Sequence, residues 1–279
     1  MVDLEKLVEQ VKDLVLESAK FTKAGNYSIT EKEGESYNIV TSADLAVQEF
    51  LQKNLMALVP DSGFMGEEEG QRDNGTRLCW VVDPIDGTTN FARGMQQSGI
   101  SVAFRVDGEY VLGVVYNPDL DDMFWAVKGK GAYLNGKRLS VSKKDFEHSV
   151  ICTALCLYRK NYADICANVL KETFLKCADF RRFGVASLEI CYVAAGRADL
   201  FFEFRLYPWD IAAAAVILRE AGGVIGTLDW NDMRNVKVTT DLAPDAPSAI
   251  IAANNVENFK KVGQIVISHL GDFNPKEYN

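Results

Sequence analysis

Apolar residues first recur at helical spacing. Leu4, Leu7, Val8, Val11, Leu14 and Val15 form one stripe, which predicts an amphipathic helix reaching Ser18 and stopped by Gly25. The stretch Glu31 to Ser36 is polar, contains Gly34 and reads as an exposed loop. Ser42 can cap a second helix, whose apolar positions Leu45, Phe50, Leu51, Leu55 and Leu58 run until Pro60. Then the pattern changes. Leu78-Cys79-Trp80-Val81-Val82 is a short apolar run bounded by charge and reads as a buried strand. Ser98 to Arg105, Tyr110 to Tyr116 and Met123 to Val127 predict further strands, with Asp107-Gly108 as a hairpin signal and Asn135-Gly136 as another turn. The second half alternates. Helices are expected over Ala163 to Lys176, Ala186 to Ala195, Ile211 to Ala221 and Val256 to Leu270, and strands over Leu200 to Phe204 and Ala249 to Ala253. Gly222-Gly223 ends the third of those helices. No repeat, low-complexity tract or linker interrupts this order, so the expectation is α+β or mixed α/β, with sheets packed between helices.

A chain of 279 residues suits one domain over 1–279, divided into an α+β half (1–145) and an α/β half (146–279). No run of eighteen apolar residues predicts a membrane span, and Met1 to Lys6 lacks the pattern of a signal peptide, so a cytoplasmic protein is expected. The formal charge of −9 speaks against nucleic acid as a partner. It would oppose an anionic substrate too, unless the acidic residues hold cations that dominate the local field. The six cysteines, Cys79, Cys152, Cys156, Cys166, Cys177 and Cys191, lack a zinc-site spacing and read as reduced and structural. Of two histidines, His148 and His269, neither neighbours another candidate catalytic group. Chemistry must therefore rest on carboxylates, hydroxyls or metals.

Three acidic clusters stand out: Gly66-Glu67-Glu68-Glu69, Asp83-Pro84-Ile85-Asp86-Gly87-Thr88-Thr89-Asn90, and Trp209-Asp210. Each has an ordinary explanation, as a solvated face, turn residues, or an N-cap supplied by Asp210. The second resists its explanation best. It follows a buried strand directly, so Asp83 and Asp86 would emerge together where ligand sites commonly form. Gly87, Thr88 and Thr89 could then open a short helix whose free N–H groups suit a phosphate. Asp83, Asp86 and the Ile85 carbonyl are hard oxygen donors of the kind Mg²⁺ takes.

The run Trp80-Val81-Val82-Asp83-Pro84-Ile85-Asp86-Gly87-Thr88-Thr89-Asn90-Phe91 resembles the W-x-x-D-P-[IL]-D-G-T-x-N-[FY] signature of the inositol monophosphatase family. Gly66-Glu67-Glu68 matches its G-E-E element, and Pro208-Trp209-Asp210-Ile211-Ala212-Ala213, followed by Ala221-Gly222-Gly223, resembles its second signature. Asn38-Ile39-Val40-Thr41-Ser42-Ala43-Asp44 resembles the D-x-V-T-x-x-D element, with Asn38 where the family has Asp. The resemblance implies a layered αβαβα sandwich, a homodimer and lithium sensitivity. It implies Mg²⁺ held by Glu67, Asp83, the Ile85 carbonyl, Asp86 and Asp210, with a weaker ion near Glu67 and Glu68. Gly87 and Thr88 amides would hold the phosphate, and Ala186 and Glu203 the substrate's ring hydroxyls. Glu67, Thr88 and Asp44 would orient the attacking water.

The expected activity is Mg²⁺-dependent hydrolysis of a small phosphate monoester, inositol monophosphate first. Alternatives are the same chemistry on fructose-1,6-bisphosphate, a 3′-phosphoadenosine nucleotide, histidinol phosphate or NADP, since fold does not fix substrate. Glu203 favours a polyol, and the loops from Thr89 to Ser98 offer no base-stacking platform. A non-catalytic binding or regulatory protein on this fold is the alternative of another class. Lys32 is the nearest counterpart to a family lysine in the preceding loop, and Arg205 could reach substrate, a neighbouring subunit or only solvent.

Overall fold

The computed structural model describes residues 2–23, 27–32, 38–68, 71–72, 76–154, 160–229, 232–238 and 248–270. Gly25, the loop positions 33–36, Glu69 and Cys156 lie outside them.

The N-terminal stripe forms α1 (Leu4–Ser18), whose buried residues are Leu7, Val8, Val11, Val15 and Ser18. A small antiparallel pair, β1 (Ile29–Glu31) and β2 (Ile39–Thr41), leads into α2 (Ser42–Leu58). The cap of α2 is Thr41, not Ser42. The Thr41 hydroxyl accepts from the Ala43 and Asp44 amides, and Asp44 accepts the Thr41 N–H in return, a closed capping box. There follow β3 (Gly63–Gly66), β4 (Gln71–Arg72), β5 (Leu78–Asp86), the short α3 (Thr88–Ala92), β6 (Gly99–Val106), β7 (Glu109–Asn117), β8 (Asp122–Val127), β9 (Gly131–Leu134) and β10 (Lys137–Arg138). Among the described residues these strands build an eight-stranded sheet in the order β10-β9-β8-β7-β6-β5-β3-β4. Its neighbours are antiparallel except β3 and β5. Asp107 and Gly108 have φ of 50° and 84°, and Asn135 and Gly136 have 48° and 79°, so the expected hairpin and the expected further turn both exist.

The rest of the chain forms β11 (Val150–Thr153), a 3₁₀ turn (Lys160–Tyr162), α4 (Ala163–Phe174), β12 (Asp179–Arg181), α5 (Ala186–Ala194), β13 (Leu200–Leu206), α6 (Pro208–Glu220), β14 (Val224–Asp229), β15 (Asp232–Val238), β16 (Ser248–Ala253) and α7 (Val256–Leu270). Its sheet runs β12-β11-β13-β16-β14-β15, with β11 parallel to both of its neighbours.

Side chains alternate across each sheet, and the alternation sorts them into separate cores. Trp80, Val82, Val102, Phe104, Leu112 and Val114 pack against α1 and α2. Cys79, Val81, Ala103 and Val115, on the opposite face, pack against α5 and α6, which also cover Phe201, Ile250 and Ala252 of the second sheet. Leu200, Phe202, Phe204 and Ile251 face outward under α4 and α7. The result is five layers, αβαβα, an α+β sandwich. Helix α6 is buried along all of Ile211 to Leu218, because a sheet lies on either side of it. Gly113 of β7 permits the approach: a Cβ there would stand 2.3 Å from the Ala213 carbonyl oxygen. The described cysteines are all free thiols, and among the described residues no helix is long and apolar enough to cross a membrane.

Candidate metal centre

Strand β5 does not end at Val82; it carries the acidic motif to Asp86. Its register against β6 slips there, for Asp83 faces Ser101 but Asp86 faces Gly99, leaving one extra residue on β5. Pro84, with no N–H to donate, sits inside that bulge. The Asp83 carboxylate accepts the Ile85 N–H at 3.0 Å, which holds the bulge in shape. Gly87 then turns the chain with φ 86°, and a side chain there would meet Val185 at 2.7 Å.

A cavity of about 760 Å³ opens over this turn, lined by Glu67, Asp83, Ile85, Asp86, Gly87, Thr88, Ala186, Glu203 and Asp210. These residues come from separate elements. Glu67 follows β3, where Gly66 lets the Gln48 side chain pass close; the Gln48 amide oxygen accepts the Glu68 N–H at 3.1 Å. Asp210 stands in the first turn of α6. It is not the N-cap: one of its oxygens reaches back to the Tyr207 N–H at 2.7 Å, a third-position role. Asp86 accepts the Ser187 N–H at 2.7 Å. Asp44 and Glu68 stand behind the cavity wall. Asp44 takes the Thr41 amide and hydroxyl on one oxygen and the Thr88 hydroxyl on the other at 3.2 Å; that hydroxyl also lies 3.0 Å from the Ile85 carbonyl. Lys32 Nζ bridges Glu67 at 3.1 Å and Glu68 at 2.8 Å.

The electrostatics follow from gathering acids in a dry place. Desolvation pushes Asp83 well above the usual carboxylate range, and Glu67, Asp86 and Asp210 push it further. Asp210 rises for the same reasons, burial first and then Asp86 and Glu67. Asp86 rises to about 6 by burial, held back by its bonds from Ser187. Glu68 rises to about 7 by burial and the charge of Glu67, opposed by Lys32. Burial alone would lower the Lys32 ammonium, but Glu67 and Glu68 outweigh it and raise it. Asp44 is raised by burial against the bonds from Thr41.

As the side chains stand, no three acidic, histidine or cysteine groups among the described residues converge on one point closely enough to hold an ion. The donor chemistry nevertheless fits a hard divalent cation. Asp83, Asp86 and Asp210 each spend one oxygen on a backbone amide and face the same cavity, and Lys32 is ion-paired to Glu67 beside them. Carboxylates so placed lower their charge by protonation or by binding cations.

Several contributors were not legible in the sequence. Arg93 and Arg182 line the cavity. Glu189 accepts the Phe183 N–H at 2.9 Å and the Val185 N–H at 3.4 Å, fixing the loop that leans on Gly87, and burial pushes it up to about 7. No local signal marks it, because its partners lie in a loop rather than in its own helix. The aromatic platform absent from 89–98 exists elsewhere on the wall, where Tyr207 stacks on Trp209 with ring centres 4.9 Å apart.

The sequence profile described as the inositol monophosphatase family matches residues 3–267, and the chain belongs to that family, a family of phosphatases. "Nus factor SuhB" of Escherichia coli (strain K12) is 36% identical over 219 residues, covering 78% of this chain and 81% of the relative. "Inositol-1-monophosphatase" of Caulobacter vibrioides is 39% identical over 199 residues, covering 70% and 78%. The crystal structure of extragenic suppressor protein suhB from Bartonella henselae superposes with a TM-score of 0.81 at 30% identity, covering 93% of this chain and 98% of that one.

Proposed function

We propose that the protein is a Mg²⁺-dependent phosphatase of small phosphate monoesters, inositol monophosphate foremost. The observation that carries this reading is the convergence on one cavity of Glu67, Asp83, the Ile85 residue, Asp86, Thr88 and Asp210, drawn from the turn after β3 and from β5, α3 and α6. Glu67, Asp83, the Ile85 carbonyl, Asp86 and Asp210 would hold Mg²⁺, with Glu68 adding to the outer part of the set. Bound Mg²⁺ supplies neutralisation of phosphoryl charge and acidification of water. The protein's own part is positioning. Asp44 orients the Thr88 hydroxyl, and Thr88 with Glu67 would aim a water at phosphorus. Gly87 and Thr88 amides would receive the phosphate oxygens, and Glu203 with Ala186 would receive ring hydroxyls. Phosphoryl transfer asks for little more, since its barrier is lowered mainly by placement and charge. The "Inositol-1-monophosphatase" name of a relative supports the substrate.

The test is phosphate release from myo-inositol 1-phosphate, fructose-1,6-bisphosphate, 3′-phosphoadenosine 5′-phosphate, histidinol phosphate and NADP, each with Mg²⁺ and with EDTA. Release from the inositol ester that EDTA abolishes is the expected outcome. Silence across the panel from a folded, Mg²⁺-loaded protein would sink it.

A second reading, a binding or regulatory role on the same fold, is favoured by one observation: relatives named "Nus factor SuhB" match over most of the chain. Under it, substituting Asp83 leaves the protein's cellular role intact. Under the first reading that role is lost with the carboxylate.

A further inference from the structure

The acids of the cavity are held in two ways. Asp83, Asp86 and Asp210 each fix a carboxylate oxygen on a backbone amide. The carboxylates of Glu67 and Glu68 share the Lys32 ammonium instead, and Glu68 is gripped through its own backbone N–H.

That grip comes from α2. Asp44 and Gln48 stand four residues apart, so they share one face of the helix. Both are buried. Asp44 reaches the Thr88 hydroxyl, and Gln48 reaches the Glu68 N–H, so one helix braces both the turn after β5 and the turn after β3. The pairing of β3 with β5 runs to Gly66 opposite Val82. Two residues further on, Gln48 Oε1 accepts the Glu68 N–H at 3.1 Å. The approach is close. A Cβ on Gly66 would lie 2.3 Å from Gln48 Oε1, and 2.8 Å from both Gln48 Cδ and the Phe64 ring. A side chain at 66 would therefore push the amide off its partner.

As a packing residue Gln48 is a poor choice. Its Nε2 is buried and meets no acceptor among the described residues, and an unmade hydrogen bond costs stability. A methionine of similar length would fill the space without that cost. What methionine cannot do is accept the Glu68 N–H. A glutamate could, but it would add a charge where Glu67 and Asp44 already push Glu68 up. The neutral acceptor is the feature that only glutamine supplies at this length.

We infer that Gln48 is a positioning residue: by holding the Glu68 amide from behind, it presents the Glu67–Glu68 edge of the cavity to a divalent cation and sets how tightly that edge binds it. The inference deepens the phosphatase reading and rests on it for the choice of Mg²⁺.

The experiment titrates Mg²⁺ into the whole protein by calorimetry and follows the unfolding temperature with and without Mg²⁺. Gln48→Met should raise the half-saturating Mg²⁺ about fivefold, the worth of one hydrogen bond. Its unfolding temperature in EDTA should stay at or above the native value, because a buried unpaired donor leaves with the acceptor. The Mg²⁺ needed for half-maximal phosphate release should rise by the same factor, with a smaller loss of rate at saturating Mg²⁺. Gln48→Glu, which keeps an acceptor in place, should bind Mg²⁺ at least as tightly as the native protein. Gly66→Ala, which pushes on the same oxygen, should weaken Mg²⁺ binding as Gln48→Met does. Native half-saturation in Gln48→Met overturns the inference, and a lower unfolding temperature beside it assigns the residue to the fold alone. Equal weakening in Gln48→Met and Gln48→Glu also overturns it, since the acceptor then does not matter. If Gln48→Met does not fold, Gly66→Ala decides, and unchanged Mg²⁺ binding there overturns the inference. The expected shifts in Mg²⁺ binding without phosphate release from any ester support the inference and remove the phosphatase reading. A native protein that binds no Mg²⁺ removes both.

Discussion

Asp83 and Asp107 sit at opposite ends of the same strand pair. Strands β5 and β6 pair from Leu78 opposite Val106 to Asp86 opposite Gly99. At the outer end Asp107, in the β6–β7 turn, is exposed and takes the Arg77 fork at 2.6 and 2.7 Å, which holds its carboxyl below the usual range. At the inner end Asp83 and Asp86 are buried among other carboxylates and are held above that range, chiefly by desolvation. One residue type and one ladder thus give opposite chemistry. The difference is water. An exposed pair exchanges hydration for a partner at little gain, whereas a buried acid among like charges costs the fold stability unless a proton or an opposite charge offsets it.

The largest expected effect tests the inner end. Asp83→Asn should lower kcat by roughly 10³-fold, yet raise the unfolding temperature in EDTA at pH 8, because a repelled charge is gone. A lower unfolding temperature would contradict the electrostatic account. Next comes Glu189→Gln. Burial raises Glu189 from an ordinary value near 4.5 to about 7, so the folded state holds its proton longer than the unfolded chain does. Its stabilising contribution is complete below about pH 4.5 and is lost as pH rises through 7. The variant should therefore gain on the native protein by about 3 kcal/mol between pH 5 and pH 8 in denaturant titrations; a pH-independent difference would remove that role. Smaller still, Thr41→Ala should cost about 1 kcal/mol for the lost cap and reduce kcat as well, since the Thr41 hydroxyl holds the Asp44 that holds Thr88. At the outer end, Arg77→Ala should leave the unfolding midpoint and kcat unchanged within error. A loss there comparable with that at Asp83 would break the comparison altogether.

What the sequence made legible follows the reach of its signals. Helices α1 and α7 were readable because one helix face repeats over four turns, and the Asp107-Gly108 and Asn135-Gly136 turns because positive φ selects those residues. The short strands β1, β2, β12 and β15 were not, since their pairing is decided by distant partners. Helix α6 was found from its apolar run, but the role of Asp210 within it was misplaced by three positions: the structure puts the cap residue at Tyr207, and the side chain reaches back to it. In β5, continuation through Asp-Pro was hidden because proline normally ends a ladder, and a bulge admits it here. The carboxylates of the cavity were legible through their motifs. Arg182, Glu189 and the Tyr207–Trp209 stack were not, because they become neighbours of the site only after the two sheets close on α6.

The contact of Gly113 with Ala213 bears on how this protein can change over generations of mutation. A helix clamped on both sides has no slack, so one added methyl group on α6 or at Gly113 would push on both sheets and on Asp210 together. Drift in sequence should therefore collect at the hairpin tips 107–108 and 135–136, where nothing meets an added Cβ on Gly108 or Gly136. New specificity would come from exchanging side chains on the β13 face of the cavity, the wall that can vary without moving the clamp.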